Sequence, residues 1–235
     1  KTVFKKNGKW WGNVEHNITE IQLLPIKNAA TRVAALLSGE IDLVTDAPVQ
    51  DLNRISSSGG HKVESTPQMR TIFLGMDQKA DKLRTGNTGD NPFKKKEVRQ
   101  ALYQAIDIEA IKKKVMRGLS EPAGIITFPG VTGYTKALDK RLPYDVDAAK
   151  KLLADAGYPN GFDVELRCPN DRYVNDEAIC TAVVGMLGKI GVNVNLFAQT
   201  KSKHFKELKD NQGDFYMLGW GVPTLDSHYV FHYLY

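Results

Sequence analysis

The residues best suited to contact a small molecule lie in two short segments, each of which follows a strand-like run. The first segment is residues 168–175 (CPNDRYVN). Arg172 can form paired hydrogen bonds with a carboxylate, Tyr173 offers an aromatic face, and Asn170 adds an amide. Free N–H groups at the start of the following helix also favour an anion. An ordinary surface turn with a helix cap explains the same residues without any ligand.

The second segment is residues 219–226 (GWGVPTLD). Its glycines allow Trp220 to sit where backbone is crowded, and Asp226 supplies a negative charge. A tryptophan buried in a tight turn is an equally good explanation. The candidate ligand-binding residues are therefore Arg172, Trp220, Asp226, Tyr173 and Asn170.

Signatures of the common catalytic and metal sites are missing from the sequence. No GxGxxG, Walker A, HExxH or GxSxG string occurs. His228 and His232 have the i,i+4 spacing of a helical metal site, but no glutamate stands between them to complete a zincin motif. We therefore predict no metal site, no cofactor and no catalytic residues, and we expect the protein not to be an enzyme.

The two cysteines, Cys168 and Cys180, leave their redox state open. They lack the CxxC spacing of a zinc site. Two buried free thiols are the preferred interpretation, and a single disulfide formed in an oxidising compartment is the alternative.

Composition excludes several classes of protein. The 235 residues are 42% hydrophobic and 25% charged, which is typical of a globular chain and not of a disordered or disulfide-dense one. The net charge of +5 permits an acidic partner, but the lysines are dispersed and not interleaved with aromatic residues, so we expect no nucleic-acid binding. No apolar stretch suits a signal peptide or a membrane span. The chain reads as a fragment cut at both ends.

The elements that carry the two segments are predicted by periodicity. Phe162, Val164 and Leu166 alternate with polar residues as in a strand, a helix capped by Asn175 follows, and a second alternating strand begins at Val192. This order predicts a βαβ unit with parallel strands and a right-handed crossover, followed by a helix near 201–210 and a strand at 215–218. Both candidate segments therefore lie at the carboxyl ends of strands, where open α/β sheets bind ligands.

The rest of the chain alternates between predicted helices, strands and one long loop, which indicates an α/β or mixed α+β class. The helices are capped or opened by polar residues, and the loop is rich in glycine and charge. These predictions are a helix after Asn28, a strand at 41–44, a helix opened by Asp46 and Pro48, a buried strand at 71–76, a loop at 79–96, and helices at 98–106, after Asp107 and after Asp145.

Five segments spread over nearly the whole chain are similar to motifs of a single family. They are the Asn7, Trp10, Trp11 and Gly12 group, residues 29–43 (AATRVAALLSGEIDL), residues 98–111 (VRQALYQAIDIEAI), residues 147–159 (DAAKKLLADAGYP) and residues 214–226 (DFYMLGWGVPTLD). In this order they resemble the family 5 extracellular solute-binding proteins, the dipeptide-, oligopeptide- and nickel-binding subunits of ABC importers.

The resemblance implies a fold class: an α/β, two-lobed structure like the type II periplasmic-binding proteins, incomplete here at both ends. Residues 1–76 would be a returning part of the first lobe. Residues 77–235 would be most of the second lobe, truncated before its end. The fragment would then carry only one wall of the cleft.

The resemblance also implies a function: capture of a peptide-like or other small solute and its delivery to an ABC permease at the membrane. A periplasmic monomer is expected. Dipeptide binders of the family place an aspartate for the ligand's amino group at the position of Pro223, whereas Asp226 is retained. Arg172 falls near the arginine that they use for the ligand carboxylate, so an anionic ligand group is expected. The alternative is a periplasmic hydrolase acting on a small polar substrate, because strand-end loops also host active sites.

Overall fold

The computed structural model describes residues 1–234, and its contacts divide the chain into two compact units. The first unit is Lys1–Ala47, and the second begins at Pro48. The lobe boundary expected after residue 76 concerns the longer two-lobed protein and stays a prediction.

The first unit contains one antiparallel hairpin, which the sequence did not predict, and one helix. Strand β1 (Thr2–Lys5) pairs with β2 (Glu20–Leu23), and helix α1 is Ala29–Leu37. The predicted cap of α1 is confirmed, because the Asn28 side chain accepts a hydrogen bond from the Thr31 N–H at 2.9 Å.

The predicted strand at 41–44 is wrong, because these residues have no strand partner in the structure. After α1 the chain passes through Gly39, whose φ of 77° suits glycine. The N–H groups of Glu40 and Ile41 then both turn back to the carbonyl of Ala35, at 2.9 and 3.2 Å. These bonds wrap the end of the helix instead of extending the chain toward a sheet.

The second unit alternates helices with the strands of one sheet. Its helices are α2 (Leu52–Ser57), α3 (Lys96–Ala105), α4 (Ile108–Ala110, continued by a π-helical turn at Ile111–Val115), α5 (Val146–Asp155), α6 (Asp176–Gly188), α7 (Lys201–Lys209) and α8 (His228–Leu234). Its strands are β3 (Arg70–Met76), β4 (Asp163–Pro169), β5 (Asn193–Gln199) and β6 (Phe215–Gly221). Every helix predicted in this unit is present.

The four strands form a sheet in the order β3-β6-β4-β5. The predicted βαβ unit is confirmed, because β4 and β5 are parallel neighbours joined through α6. Strand β6 is parallel to β4, and β3 runs antiparallel to β6 at one side of the sheet. The predicted strand at 71–76 is therefore present as β3, but its residues are half-buried and not buried, because β3 has a partner on one side only.

The core of the second unit lies between the sheet and the helices α3, α5 and α6. Phe93 is fully buried, and its ring lies 6.0 Å from that of Phe162 and 5.7 Å from that of Phe215. Fully buried Leu102, Leu166 and Leu187 continue the same cluster. Burial of this kind holds the strands rigid, so the loops at their ends start from fixed positions.

The preference for two free thiols is wrong, because Cys168 and Cys180 form a disulfide. Cys168 is near the end of β4 and Cys180 is in α6, and both are fully buried. The packing of α6 on β4 places their Cα atoms 6.6 Å apart, within the span of a disulfide. The sequence did not reveal this pairing, because it depends on which side of α6 packs against β4. Only the folded structure shows that Cys180 lies on that side.

Candidate functional site

The candidate residues lie at one edge of the sheet, which we call the carboxyl edge. Here the parallel strands end, with Pro169 of β4 opposite Gln199 of β5. The antiparallel strand β3 begins at the same edge, since Arg70 is opposite Gly221 of β6. Two loops leave from this edge: the β4 loop, residues 170–175, and the β6 loop, residues 222–227.

The β4 loop is held by the carboxylate of Asp176, the first residue of α6. One oxygen accepts hydrogen bonds from the N–H groups of Arg172 and Tyr173 at 2.9 and 3.0 Å, and the other accepts from Glu177 N–H at 3.0 Å. Asp176 is buried, with 4% of its surface exposed. Its charge is therefore directed at backbone donors of the loop and of the helix start.

Asn175 is the N-cap residue of α6, as predicted, but its side chain makes no capping hydrogen bond. Asn175 adopts a left-handed backbone conformation with φ of 55°, and its side-chain amide donates to the carbonyl of Val115 at 2.8 Å. Asparagine tolerates this conformation better than most residues. The Asp176 carboxylate accepts the Glu177 N–H at the helix start, and the Asn175 side chain ties the loop to the π-helical turn.

Tyr173 is fixed against the end of β6. Its hydroxyl oxygen accepts a hydrogen bond from Gly219 N–H at 2.8 Å. A Cβ atom at Gly219 would lie 2.8 Å from the Tyr173 ring, so a side chain there would clash with the ring. Burial, the largest influence, raises the pKa of Tyr173, although the Gly219 N–H and the charges of Arg172 and Arg70 act in the opposite direction.

Two guanidinium groups flank the Tyr173 ring. The guanidinium carbon of Arg172 lies 5.0 Å from the ring centroid, and that of Arg70 lies 6.0 Å from it. Both side chains are half-buried, and within residues 1–234 neither makes an ion pair with an acidic group. Asn170 is exposed beside them, its N–H donating to the Gln199 carbonyl at 2.9 Å.

Trp220 lies in a separate apolar cluster next to the β6 loop. Its ring is half-buried, 5.9 Å from the ring of Tyr229 and 6.0 Å from that of Tyr233 in α8. Val131, Val222 and Val230 form the buried part of this cluster. The Trp220 Nε1–H is buried and has no hydrogen-bond partner among the described residues. Trp220 is therefore neither fully buried in a turn nor fully open to a ligand. Its ring is partly covered by a small cluster.

Asp226 is exposed in the β6 loop, and its contacts are with nearby backbone groups. Its carboxylate accepts a hydrogen bond from His228 N–H at 2.8 Å at the start of α8, and its backbone bridges to Thr132.

The rings of His228 and His232 stack 5.9 Å apart. Along the described part of the chain, no group of three or more His, Cys, Asp or Glu side chains is arranged to hold a metal ion. A shallow pocket of about 430 Å³ lies here, between the β6 loop and α8.

The structure therefore brings together some of the sequence-predicted residues and separates others. Tyr173 is bonded to Gly219 of β6, one residue before Trp220, and the Arg172 guanidinium lies over the Tyr173 ring. Asp226 belongs to the other loop, with contacts of its own. As ligand contacts, all five residues stay predictions.

Sequence reasoning missed Arg70. It is the first residue of β3, directly before the predicted strand at 71–76. Only the antiparallel pairing of β3 with β6 brings its position to the carboxyl edge, and a single sequence gives no signal for that pairing.

Comparison with protein-family models places this chain among known sequences. The model described as bacterial extracellular solute-binding proteins, family 5 Middle, matches residues 1–235. Heme-binding protein A of Haemophilus influenzae is 28% identical over 92% of this chain and 38% of its own length. Glutathione-binding protein GsiB of Escherichia coli K12 is 23% identical over 96% of this chain and 43% of its own length. The chain thus spans about two fifths of the relatives that it matches.

Solved structures with a similar fold include two with bound ligands. The periplasmic binding protein DppA of Helicobacter pylori, in complex with peptide STSA, gives a TM-score of 0.80 at 24% identity, covering 94% of this chain and 40% of that one. AgaA of Agrobacterium tumefaciens R10, in complex with agropinic acid, gives a TM-score of 0.70 at 28% identity, covering 92% and 42%. The expected α/β periplasmic-binding fold is confirmed. Among residues 1–234, no helix is long and apolar enough to cross a membrane.

Proposed function

The chain belongs to family 5 of the bacterial extracellular solute-binding proteins, and from this we propose that the complete protein is the solute-binding subunit of an ABC importer. The family match over residues 1–235 is the observation that carries this proposal. The protein would work as a monomer in the periplasm, capture a peptide-like or other small solute, and deliver it to a permease at the membrane.

The known ligands of the relatives do not select the solute for this chain. Their names and structure titles give heme, glutathione, the peptide STSA and agropinic acid. These molecules differ in size, charge and shape. The choice of solute must therefore depend on the side chains that each protein places at its own site.

We propose that the solute lies at the carboxyl edge of the sheet. Tyr173 and Trp220 would form apolar walls, and Arg172 would bind an acidic group of the solute through its guanidinium. Asn170 in the β4 loop and Asp226 in the β6 loop are exposed and would contact polar groups. Pro223 has no side-chain acceptor, so a free α-amino group would not be recognised at that position as it is in dipeptide binders.

Binding would act by shifting a conformational equilibrium. A solute that contacts both lobes favours the closed form, because only a difference in contacts between the two forms can shift the equilibrium. No covalent bond in the solute is formed or broken in this mechanism. The permease would then recognise the closed form.

The test begins with mass spectrometry of small molecules that copurify with the complete protein. Small-angle X-ray scattering with the identified molecule should show compaction at saturation, and the molecule should be recovered intact after prolonged incubation. An unchanged scattering profile at saturation would count against the importer role. Conversion of the molecule to a product would favour the hydrolase alternative.

A further inference from the structure

Arg70 and Arg172 come from different elements and converge on one ring. Their guanidinium carbons lie 6.0 and 5.0 Å from the Tyr173 centroid, so they are no more than 11 Å apart, since both distances are measured from the same point. The pairing of β3 with β6 places Arg70, and the hydrogen bond from Gly219 N–H to the Tyr173 hydroxyl fixes the ring that both guanidinium groups contact.

These two charges are not neutralised by the described part of the chain. Arg84 shows the usual arrangement, since its guanidinium lies 2.7 Å from Asp77 and 2.6 Å from Asp214. Arg70 and Arg172 have no acidic side chain within ion-pair distance among residues 1–234, and their ring contacts with Tyr173 are the side-chain interactions that they make.

The aspartates nearest to Arg172 in sequence are already engaged. The carboxylate of Asp176 accepts three backbone hydrogen bonds and is buried. The carboxylate of Asp171 accepts from Lys201 N–H at 2.5 Å, at the start of α7. Neither carboxylate is therefore free to turn toward the two arginines without giving up these bonds.

Two half-buried cations at this separation repel one another, and the repulsion is relieved when each meets an anion. A guanidinium binds a carboxylate or phosphate through paired donors, and the face of Tyr173 holds the fork in place through a cation–π contact. We propose, resting on the importer function above, that the pair selects a solute with two acidic groups, one on Arg172 and one on Arg70. Arg70 is then a specificity-determining residue, and the solute is a compact dianion such as a dicarboxylate.

The test uses matched ligands that differ in one charge, titrated calorimetrically into the complete protein. The probes are glutarate against glutaramate, the dipeptide Ala-Glu against Ala-Gln, and glutathione against its glycine amide. Wild-type protein should bind the diacid of at least one pair about tenfold more tightly than the amide, the difference expected for one charge-assisted contact. Absence of this preference in all three pairs would overturn the proposal.

Variants then locate the second charge. Arg70→Gln should remove the preference and leave the affinity for the amide unchanged, whereas Arg172→Gln should weaken both ligands. Arg70→Lys, which keeps the charge but not the fork, should retain part of the preference. Arg54→Gln, at an exposed arginine of α2, serves as the control. A preference that survives Arg70→Gln in a folded protein would overturn the assignment of Arg70.

Failure of this proposal is distinguishable from failure of the importer function. A copurifying solute with one acidic group or none, bound with compaction, would reject the two-arginine site and keep the importer function. Absence of any bound solute and of any compaction would reject both.

Discussion

The β4 loop and the β6 loop leave the same edge of the same sheet, but different forces hold them. The β4 loop is fixed by polar and covalent links: the Asp176 carboxylate, the Tyr173–Gly219 hydrogen bond, and the disulfide that joins Cys168 to α6. The β6 loop rests on an apolar cluster around Trp220 and on one backbone bridge to Thr132.

The contrast shows how one edge of a sheet can combine a fixed charge position with a surface that adjusts to a ligand. Directional hydrogen bonds fix where a charge lies, whereas apolar contacts allow a surface to adjust to a ligand's shape. The backbone of Arg172 is held by such a bond, and the side chains of Arg172 and Arg70 both contact the Tyr173 ring. The aromatic rings of α8, by contrast, form the wall of a shallow open pocket. We therefore expect mutations in the two loops to change stability and amide exchange differently.

The disulfide should give the largest effect. Replacing both cysteines, as Cys168→Ala with Cys180→Ala, should lower the free energy of unfolding by about 3 kcal/mol, because the bond closes a short loop in the unfolded chain. Chemical denaturation of the complete protein measures this change. Reduction of the wild type should produce a similar loss, and the double variant should not respond to the reductant. A variant as stable as the oxidised wild type would show that the bond does not stabilise the β4 loop.

Loss of the Asp176 carboxylate should give the next largest effect. Asp176→Ala leaves three backbone donors without their acceptor, at a cost of about 2 kcal/mol. Hydrogen exchange of the amides of Arg172 and Tyr173 should accelerate, while exchange in the β6 loop should stay unchanged. Glu177→Ala, at the exposed next residue, is the matched control. Equal acceleration in both loops would contradict their independence.

The aromatic cluster of the β6 loop should give a smaller effect. Tyr229→Leu removes ring contacts with Trp220 and Tyr233, at a cost of about 1 kcal/mol. Trp220 fluorescence should change, and amide exchange should accelerate in the β6 loop alone. Tyr144→Leu, at an exposed tyrosine, should change neither measurement. Faster exchange in the β4 loop would show that the loops are coupled.

The sequence predicted what depends on local periodicity. The alternation from Phe162 to Leu166 predicted β4, and the turns after β4 and β6 predicted loops that the structure places at one edge. Resemblance to a family predicted the fold class. Each of these inferences depends on residues that are close in the chain.

The sequence could not predict what depends on pairing between distant residues. Arg70 reaches the edge only because β3 is antiparallel to β6, and the disulfide forms only because α6 presents Cys180 to β4. The N-cap position of α6 was predicted correctly, but the absence of a capping bond from the Asn175 side chain was not. Asn175 has a left-handed backbone, and its side chain bonds to the carbonyl of Val115 instead.

Titration of Tyr173 should have the smallest effect on the free energy of unfolding, and it reports on the β4 loop alone. Burial raises the pKa of Tyr173 above its ordinary value of 10.0, so the folded protein holds the phenolic proton where the unfolded chain releases it. The stability linked to this proton is present below pH 10 and is lost as the pH rises through the folded value. The free energy of unfolding of the wild type should therefore fall more steeply above pH 10 than that of Tyr173→Phe.

The comparison with Tyr173→Phe isolates the contribution of Tyr173 to this pH dependence. Tyr173→Phe also removes the acceptor of Gly219 N–H, which lowers stability at every pH, so the slope above pH 10 and not the offset is diagnostic. Burial also raises the pKa of Tyr103 and Tyr216, whose contributions cancel in the difference between wild type and variant. Parallel curves for wild type and Tyr173→Phe would contradict a raised pKa of Tyr173 in the folded protein.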